Sequence, residues 1–259
     1  MNNLSDMVWI ELRKAIRSRM PLWTSLGSLF MPVGVALLIL IAKNPEISQK
    51  LGLVSAKANL MAYSATDWPS YLKLLAEIIS AGGLFFFIIA ISWVFGREFV
   101  DGTLKDMLAV PVPRSSIILA KYIVSIAWCA VMAIISLIFG LIMGAILRLP
   151  GGSLSVILNG SAVAAITICL VIAGVLPFAL FASVGRGYLL PMALAVLSLI
   201  MANMMMVVGW AEYYPWAVPL LYSQGEGNLT PISYWIVFVT GLAGMLGTYL
   251  WWKYADQNR

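Results

Sequence analysis

The sequence contains few side chains of the types that catalyse reactions or bind metal ions. It has no histidine, the commonest general base and metal ligand, and no lysine follows a glycine, so the loop that holds nucleotide phosphates is absent. Cys129 and Cys169 fall within apolar stretches, where we expect them to be small packing groups. Serine and threonine occur there without an acid or base at the same depth. We therefore predict that the chain is not an enzyme and binds no metal, ATP or other cofactor itself.

The charged residues form short clusters between long apolar stretches. The chain of 259 residues has 16 Lys and Arg, 11 Asp and Glu, and 62% hydrophobic residues, and six stretches of 19 to 37 residues carry no charge. A helix that crosses the hydrocarbon needs about 20 apolar residues. We predict an all-α integral membrane protein with one transmembrane domain over residues 1–259 and span interiors free of charge. The predicted spans are residues 22–42, 76–96, 117–147, 157–184, 188–209 and 232–252.

The basic residues indicate how these spans are oriented. Six spans place both ends of the chain on one side, and 11 of the 16 Lys and Arg residues lie in segments on that side. Because cytoplasmic segments are rich in Lys and Arg, we predict that both termini are cytoplasmic. The same rule, together with anionic lipid headgroups, explains the net charge of +5. We therefore predict membrane lipid, and not nucleic acid, as a partner.

Residues 1–20 are predicted to form an amphipathic helix before the first span. Apolar residues recur at intervals of three and four, and charged residues fall on the opposite side. The apolar set is Leu4, Val8, Leu12, Ala15 and Ile16, and the charged set is Asp6, Arg13, Lys14 and Arg17. A short helix with a basic polar face is typical of one that lies in the membrane interface. The alternative is a solvated leader that only supplies positive charge.

A second short helix is predicted on the inner side, between the second and third spans. Asp101-Gly102 is a turn signal, Thr103 can cap a helix with Asp106 three residues later, and two prolines from Pro111 onward end it. A helix of about two turns is unstable alone in water, so its apolar residues must pack on something. These residues are Leu104, Met107 and Leu108. They pack either on a partner subunit or under this chain.

Other sequence features concern the outer side and the span interiors. Residues 210–232 contain five Trp and Tyr residues and three prolines, which predicts a broken, re-entrant or interface-hugging segment between the last two spans. Glycines at 140 and 144, and at 241, 244 and 247, permit close helix approach. Asn203 is the most polar residue deep in the fifth span. We expect it to hydrogen-bond between helices or, with its neighbour Met204, to line the path of a transported molecule.

The chain resembles the membrane subunits of ABC transporters, in the type-2 permease family that includes bacterial drug, peptide-antibiotic and lantibiotic-immunity exporters. The resemblance covers nearly the whole chain and rests on the amphipathic leader, the six spans and the inner segment. That segment is similar to the family pattern in its aromatic Phe95-Gly96-Arg97-Glu98-Phe99, its Asp101-Gly102-Thr103-Leu104, and its Pro111, Arg114 and Lys121.

The resemblance implies an ATP-driven exporter in the bacterial cell membrane. A separate ATPase subunit would bind ATP and Mg, and this chain would form the pathway with a second copy of itself or a sister permease. The residues implied in coupling to the ATPase are Arg97, Glu98, Asp101, Gly102, Thr103, Leu104, Met107, Leu108, Pro111 and Arg114. The substrate implied is an amphipathic peptide, antibiotic or lipid-like molecule. Two other classes remain open: a secondary transporter or channel, and a membrane assembly protein that transports nothing.

Overall fold

The computed structural model describes residues 3–43, 67–109, 111–225 and 229–254, apart from the side chains of residues 3, 38, 42, 43 and 108. Within these ranges the regular structure is helical, with no strand. The helices are α1 Asn3–Arg17, α2 Met20–Ser28, α3 Phe30–Lys43, α4 Trp68–Val100, α5 Leu104–Ala109, α6 Arg114–Ile146, α7 Leu154–Val175, α8 Phe178–Val184, α9 Leu189–Val208, the 3-10 helix Ala211–Tyr213, α10 Val218–Gln224 and α11 Pro231–Tyr254.

Six helical segments are long and apolar enough to cross a membrane, which confirms the predicted all-α fold with six spans. They are Met20–Ile41, Trp68–Val100, Arg114–Ile146, Leu154–Val184, Leu189–Val208 and Pro231–Tyr254. The first comprises α2 and most of α3, and the fourth comprises α7 and α8. The fourth span is broken where Pro177 lacks the N–H that would continue the helix.

The two longest helices extend beyond the charge-free stretches predicted as spans and include charged residues towards their ends. At 33 residues each, α4 and α6 are about 50 Å long, whereas the hydrocarbon core is about 30 Å thick. Each helix can therefore extend about 10 Å beyond the hydrocarbon at either end. Lys73, Glu98 and Lys121 lie within about 11 Å of a helix end, and Glu77 lies about 14 Å from the start of α4. Glu98 and Lys121 are buried in the bundle.

Helix α4 lies at the centre of the bundle and packs against seven others, namely α2, α3, α6, α7, α8, α9 and α10. Its first turn is capped by Asp67, whose carboxylate accepts a hydrogen bond from the Ser70 N–H at 3.0 Å. Small residues let its neighbours approach. A Cβ on Gly140 of α6 would lie 2.5 Å from a Leu75 methyl group, and the Tyr71 hydroxyl donates to the Gly140 carbonyl. The predicted close approach at this glycine is confirmed.

The break in the fourth span is packed by glycines of α11 and by a tryptophan of the outer segment. A Cβ on Gly241 would lie 2.8 Å from the Ala173 carbonyl oxygen, and Gly244 faces Pro177 just as closely. The Trp216 Nε1–H donates to the Gly174 carbonyl at 2.8 Å, which occupies an acceptor at the end of α7. After Trp216, α10 packs against α4 and α7.

Helix α1 buries only part of its apolar side in the bundle. Met7, Glu11 and Ala15 are buried, whereas Leu12 and Ile16 are exposed. Trp9 is exposed on the same side as Leu12 and Ile16, at helical spacing. The helix therefore has three faces: one buried, one exposed and apolar, and one charged. The sequence pattern distinguished only an apolar and a charged side, so it did not separate the buried face from the exposed apolar face.

Candidate functional site

The predicted coupling residues meet at one end of the bundle, which we call the basic end. It comprises α1, residues 97–114 (the connecting segment), residues 185–188 and the last turn of α11. Close contacts join these parts: Gly96 faces the Gly187 carbonyl, and Arg114 Nη1 donates to the Trp252 carbonyl at 2.7 Å.

The connecting segment leaves α4 through a tight turn. The Asp101 N–H donates to the Arg97 carbonyl at 2.8 Å, which ends the helix. Gly102 follows in the left-handed region at φ 70°, where a side chain would be strained. Helix α5 then begins at Leu104, and the Thr103 carbonyl accepts from the Met107 N–H at 3.1 Å. The turn places α5 beneath the ends of α4 and α6.

Four charged side chains form a closed ring, which we call the charge ring, between α1, α4 and α6. Lys121 Nζ lies 2.8 Å from Glu98 Oε2 and 3.2 Å from Glu11 Oε2. Lys14 Nζ lies 2.7 Å from Glu11 Oε1 and 3.2 Å from Glu98 Oε1. Each carboxylate thus contacts both ammonium groups, and the ring has no net charge.

The ring is deeply buried, so its charges depend on one another. The relative exposure of the side chain is 0% for Lys121, 4% for Glu11 and 3% for Glu98. Lys121 Nζ also donates to the Val94 carbonyl at 2.8 Å, so three oxygen atoms surround the ammonium. Buried charges cost free energy unless they are paired in this way. Removal of one member would leave an uncompensated charge inside the bundle.

Lys14 is the member of the charge ring nearest the protein surface. Its side chain is 31% exposed. Partial burial disfavours the ammonium form, but the carboxylates of Glu11 and Glu98 outweigh that cost and raise the pKa of Lys14 above its ordinary value. Lys14 is therefore charged throughout the neutral range, as the pairing requires.

Two of the apolar residues of α5, Leu104 and Met107, pack against this chain. Leu104 is 7% exposed and belongs to the main core. Met107 packs against a small cluster made by Met7, Ile117 and Ala120. The sequence left open whether these residues pack on a partner subunit or under this chain. Leu104 and Met107 pack under this chain, and α1 contributes Met7 to the apolar surface that Met107 contacts. The side chain of Leu108 lies outside the described residues.

The exposed part of the connecting segment is polar. Asp101, Thr103, Lys105 and Asp106 are exposed, as is Pro111. Arg97 Nε donates to Asp101 Oδ2 at 3.1 Å, and the guanidinium lies 4.9 Å from the centre of the Trp93 ring. A cleft of about 360 Å³ opens between α1 and this segment. Its lining includes Met7, Ile10, Lys14, Arg97, Asp106 and Met107.

Asn203 and Met204 lie apart from the basic end, on the outward face of α9. Met204 is 55% exposed, and Asn203 is exposed as well. The Asn203 amide donates to the Leu199 carbonyl one turn back at 2.8 Å. This bond lies within one helix, and the two roles predicted for Asn203, between helices or along a transport path, stay predictions.

Sequence reasoning missed Glu11 and Lys14 as members of the site. One signal was available: Glu11 lies at helical spacing between Val8 and Ala15, on the face that packs against the bundle. An acidic residue in an apolar stripe needs a buried cation. Its partner Lys121, 110 residues away, could not be identified from that spacing.

Comparisons with known proteins match the part of the chain that contains the charge ring. A family model described as "ABC-2 family transporter protein" matches residues 7–203. The chain is 24% identical over 168 residues to the bacitracin transport permease protein BCRB of Bacillus licheniformis, an alignment that covers 64% of this chain and 81% of that protein. No solved structure gives a significant match. The matched residues include all four members of the charge ring.

Proposed function

Because the chain belongs to the ABC-2 family of transporter proteins, we propose that it is the pathway-forming subunit of an ATP-driven exporter. As a member of this family, it is a transmembrane subunit of an ABC transporter. In our proposal a separate ATPase subunit hydrolyses ATP and acts on the connecting segment. The termini and the connecting segment face the cytoplasm of a bacterial cell, in accord with the basic residues at that end.

The charge ring is the observation that carries the coupling proposal. A partner that pushes on α5 acts on Leu104 and Met107, which are packed into the core beside the ring. The ring joins α1, α4 and α6 by ion pairs of 2.7 to 3.2 Å. Displacement of α5 would therefore move three helices together. Because Glu98 and Arg97 belong to α4, their displacement would move that helix.

The ATPase contacts the exposed polar side of the connecting segment in this proposal. Lys105 and Asp106 lie on that side, and Gly102 and Pro111 hold the segment apart from the helices it joins. Complementary charges at the exposed edge of an interface influence which partner binds and how fast it associates. The interface is therefore expected to depend on Lys105 and Asp106 more than on the apolar residues of α5.

The transport pathway is proposed to lie between this chain and a second copy of itself or a sister permease. Asn203 and Met204 lie on a stripe of α9 that faces out of the single-chain bundle, together with Ile200 and Val207. An amide exposed to lipid is costly, and a second subunit would give it a partner. We propose an amphipathic peptide, antibiotic or lipid-like molecule as substrate. The name of the bacitracin permease supports that class.

Two arrangements in the membrane belong to the same proposal. The exposed apolar face of α1, with Trp9, Leu12 and Ile16, would lie in the inner interface. Residues 210–232 would form a re-entrant outer element, because prolines interrupt the segment and its helix α10 packs against α4 and α7.

The test is co-purification of the chain with the ATPase encoded beside its gene, followed by reconstitution in vesicles. Charge reversal at Lys105→Glu with Asp106→Lys should weaken the association at least tenfold while the chain expresses normally. Lys253→Asp, at an exposed lysine of the same end, is the matched control and should associate normally. If no ATPase co-purifies, or if the double variant associates as tightly as the wild type, the proposed contact is wrong.

A further inference from the structure

A second cleft lies at the end of the bundle opposite the basic end. It has a volume of about 360 Å³ and is formed by the first turns of α4 and α7 and by α10. Its walls are mostly apolar, with Leu72, Val156 and Val163 among them. Its polar side chains are Lys73, Asn159, Tyr222 and Ser223. Neither the connecting segment nor the outward stripe of α9 contributes to it.

The charge of this cleft has one sign. Among the described lining residues Lys73 is the charged one, and no carboxylate is among them. Lys73 already takes part in another interaction, but an ammonium has three N–H donors and can serve more than one acceptor. Asn159 is exposed beside it and adds an amide donor. An anionic group suits this arrangement.

The depth of the polar residues identifies the kind of anion. Lys73 lies five residues after Trp68, about 8 Å along α4, and Asn159 lies five residues after Leu154, about 8 Å along α7. Helix α4 can extend about 10 Å beyond the hydrocarbon at each end. With α4 centred across the hydrocarbon, Lys73 and Asn159 would lie near the level of the phosphate groups, and the apolar wall below them would lie beside the acyl chains.

We propose that this cleft is a binding site for a phosphate-bearing lipid, with the phosphate at Lys73 and Asn159 and an acyl chain along Leu72, Val156 and Val163. Because α10 forms one wall, the bound lipid would hold the outer segment against α4 and α7. The site does not depend on the proposed transport function, since a lipid can bind there whether or not the chain exports anything.

The experiment measures binding of dihexanoyl phosphatidylglycerol to the purified full chain in detergent by native mass spectrometry. Dihexanoylglycerol, which has the same chains without phosphate, and inorganic phosphate are the comparison ligands. We expect the phosphatidylglycerol to bind at least tenfold more tightly than either. Lys73→Gln should remove this preference, and Lys73→Arg should keep it.

A second variant tests the cleft without changing its charge. Val163→Trp fills the apolar wall and should also weaken phosphatidylglycerol binding at least tenfold. Lys253→Gln, at an exposed lysine of the basic end, should leave it unchanged. Equal binding of dihexanoylglycerol, or undiminished binding by Lys73→Gln, would overturn the proposal. Inorganic phosphate that displaces the lipid at equal concentration would show a site for free phosphate and overturn the lipid assignment.

Discussion

Lys121 is the residue whose loss should affect the charge ring most. Its side chain is fully buried, and its ammonium contacts Glu11, Glu98 and the Val94 carbonyl. Methionine has a similar length and no charge, so Lys121→Met removes the cation with little change in packing. Two buried carboxylates would then share Lys14 alone. Breaking a buried ion pair by removing one partner typically costs about 3 to 5 kcal/mol. We expect a loss of that size in the free energy of unfolding.

A double variant separates charge from packing. Glu98→Gln combined with Lys121→Met leaves one cation and one anion, Lys14 and Glu11, so no net charge remains buried. We therefore expect the double variant to be more stable than Lys121→Met alone. Lys105→Met is the matched control, since Lys105 is exposed, and it should change stability by less than about 0.5 kcal/mol.

The assay is reversible unfolding of the purified chain in mixed detergent micelles, followed by tryptophan fluorescence at pH 7. Lys14 is charged there, because its raised pKa lies above the ordinary 10.5. For a group with a raised pKa, the stabilisation is present below the unfolded-state pKa and disappears only as the pH rises through the folded-state value. A loss below about 1 kcal/mol for Lys121→Met, or strictly additive effects in the double variant, would refute the reasoning.

Three further predictions concern other parts of the chain. Gly244→Leu should prevent α11 from packing on Pro177 and should lower the yield of folded chain, whereas Leu246→Ala on the exposed face should not. With Cys129 and Cys169 replaced by alanine, a cysteine at Ser155 should react with an impermeant thiol reagent in intact cells, and one at Ser115 should not; the reverse pattern would contradict the orientation. The purified chain alone should show no ATP hydrolysis above that of an inactive preparation, and turnover that survives removal of contaminating ATPases would contradict the division of labour.

The six spans could be predicted because their signal is local. Each predicted span is a run of apolar residues, and a bilayer accepts such a run as a helix regardless of the rest of the chain. The apolar runs do not by themselves give the helix ends. Helix α4 begins at Trp68, a start that the sequence Asp67-Trp68-Pro69 predicts through an N-cap and a proline in the first turn, and the structure confirms the cap. The eight residues between this start and the predicted span include Lys73, which an apolarity criterion excludes.

The candidate site could be predicted only in part, because its parts are held together by long-range contacts. The connecting segment was recognised from its own residues, and it does lie at one end of the bundle. Its surroundings depend on pairs such as Lys14 with Glu98 and Lys121 with Glu11, which are 84 and 110 residues apart. Burial of Leu104 likewise depends on the bundle that covers it. The spacing of apolar and polar residues along the sequence does not indicate which residues so far apart in the chain will be in contact.

The two ends of α4 are held by interactions that respond differently to movement. At the far end α4 packs closely against Gly140 and Gly160 and is joined to α6 by the neutral hydrogen bond from the Tyr71 hydroxyl to the Gly140 carbonyl, which contributes about 0.5 to 1.5 kcal/mol. At the basic end Glu98 is held by two ammonium groups at 2.8 and 3.2 Å, and separation of these buried charges is costly. Tilting of α4 would therefore pivot at the charge ring and open the helix contacts at the far end. Force applied to the connecting segment would produce its largest displacement at the other end of α4, about 50 Å away near Trp68.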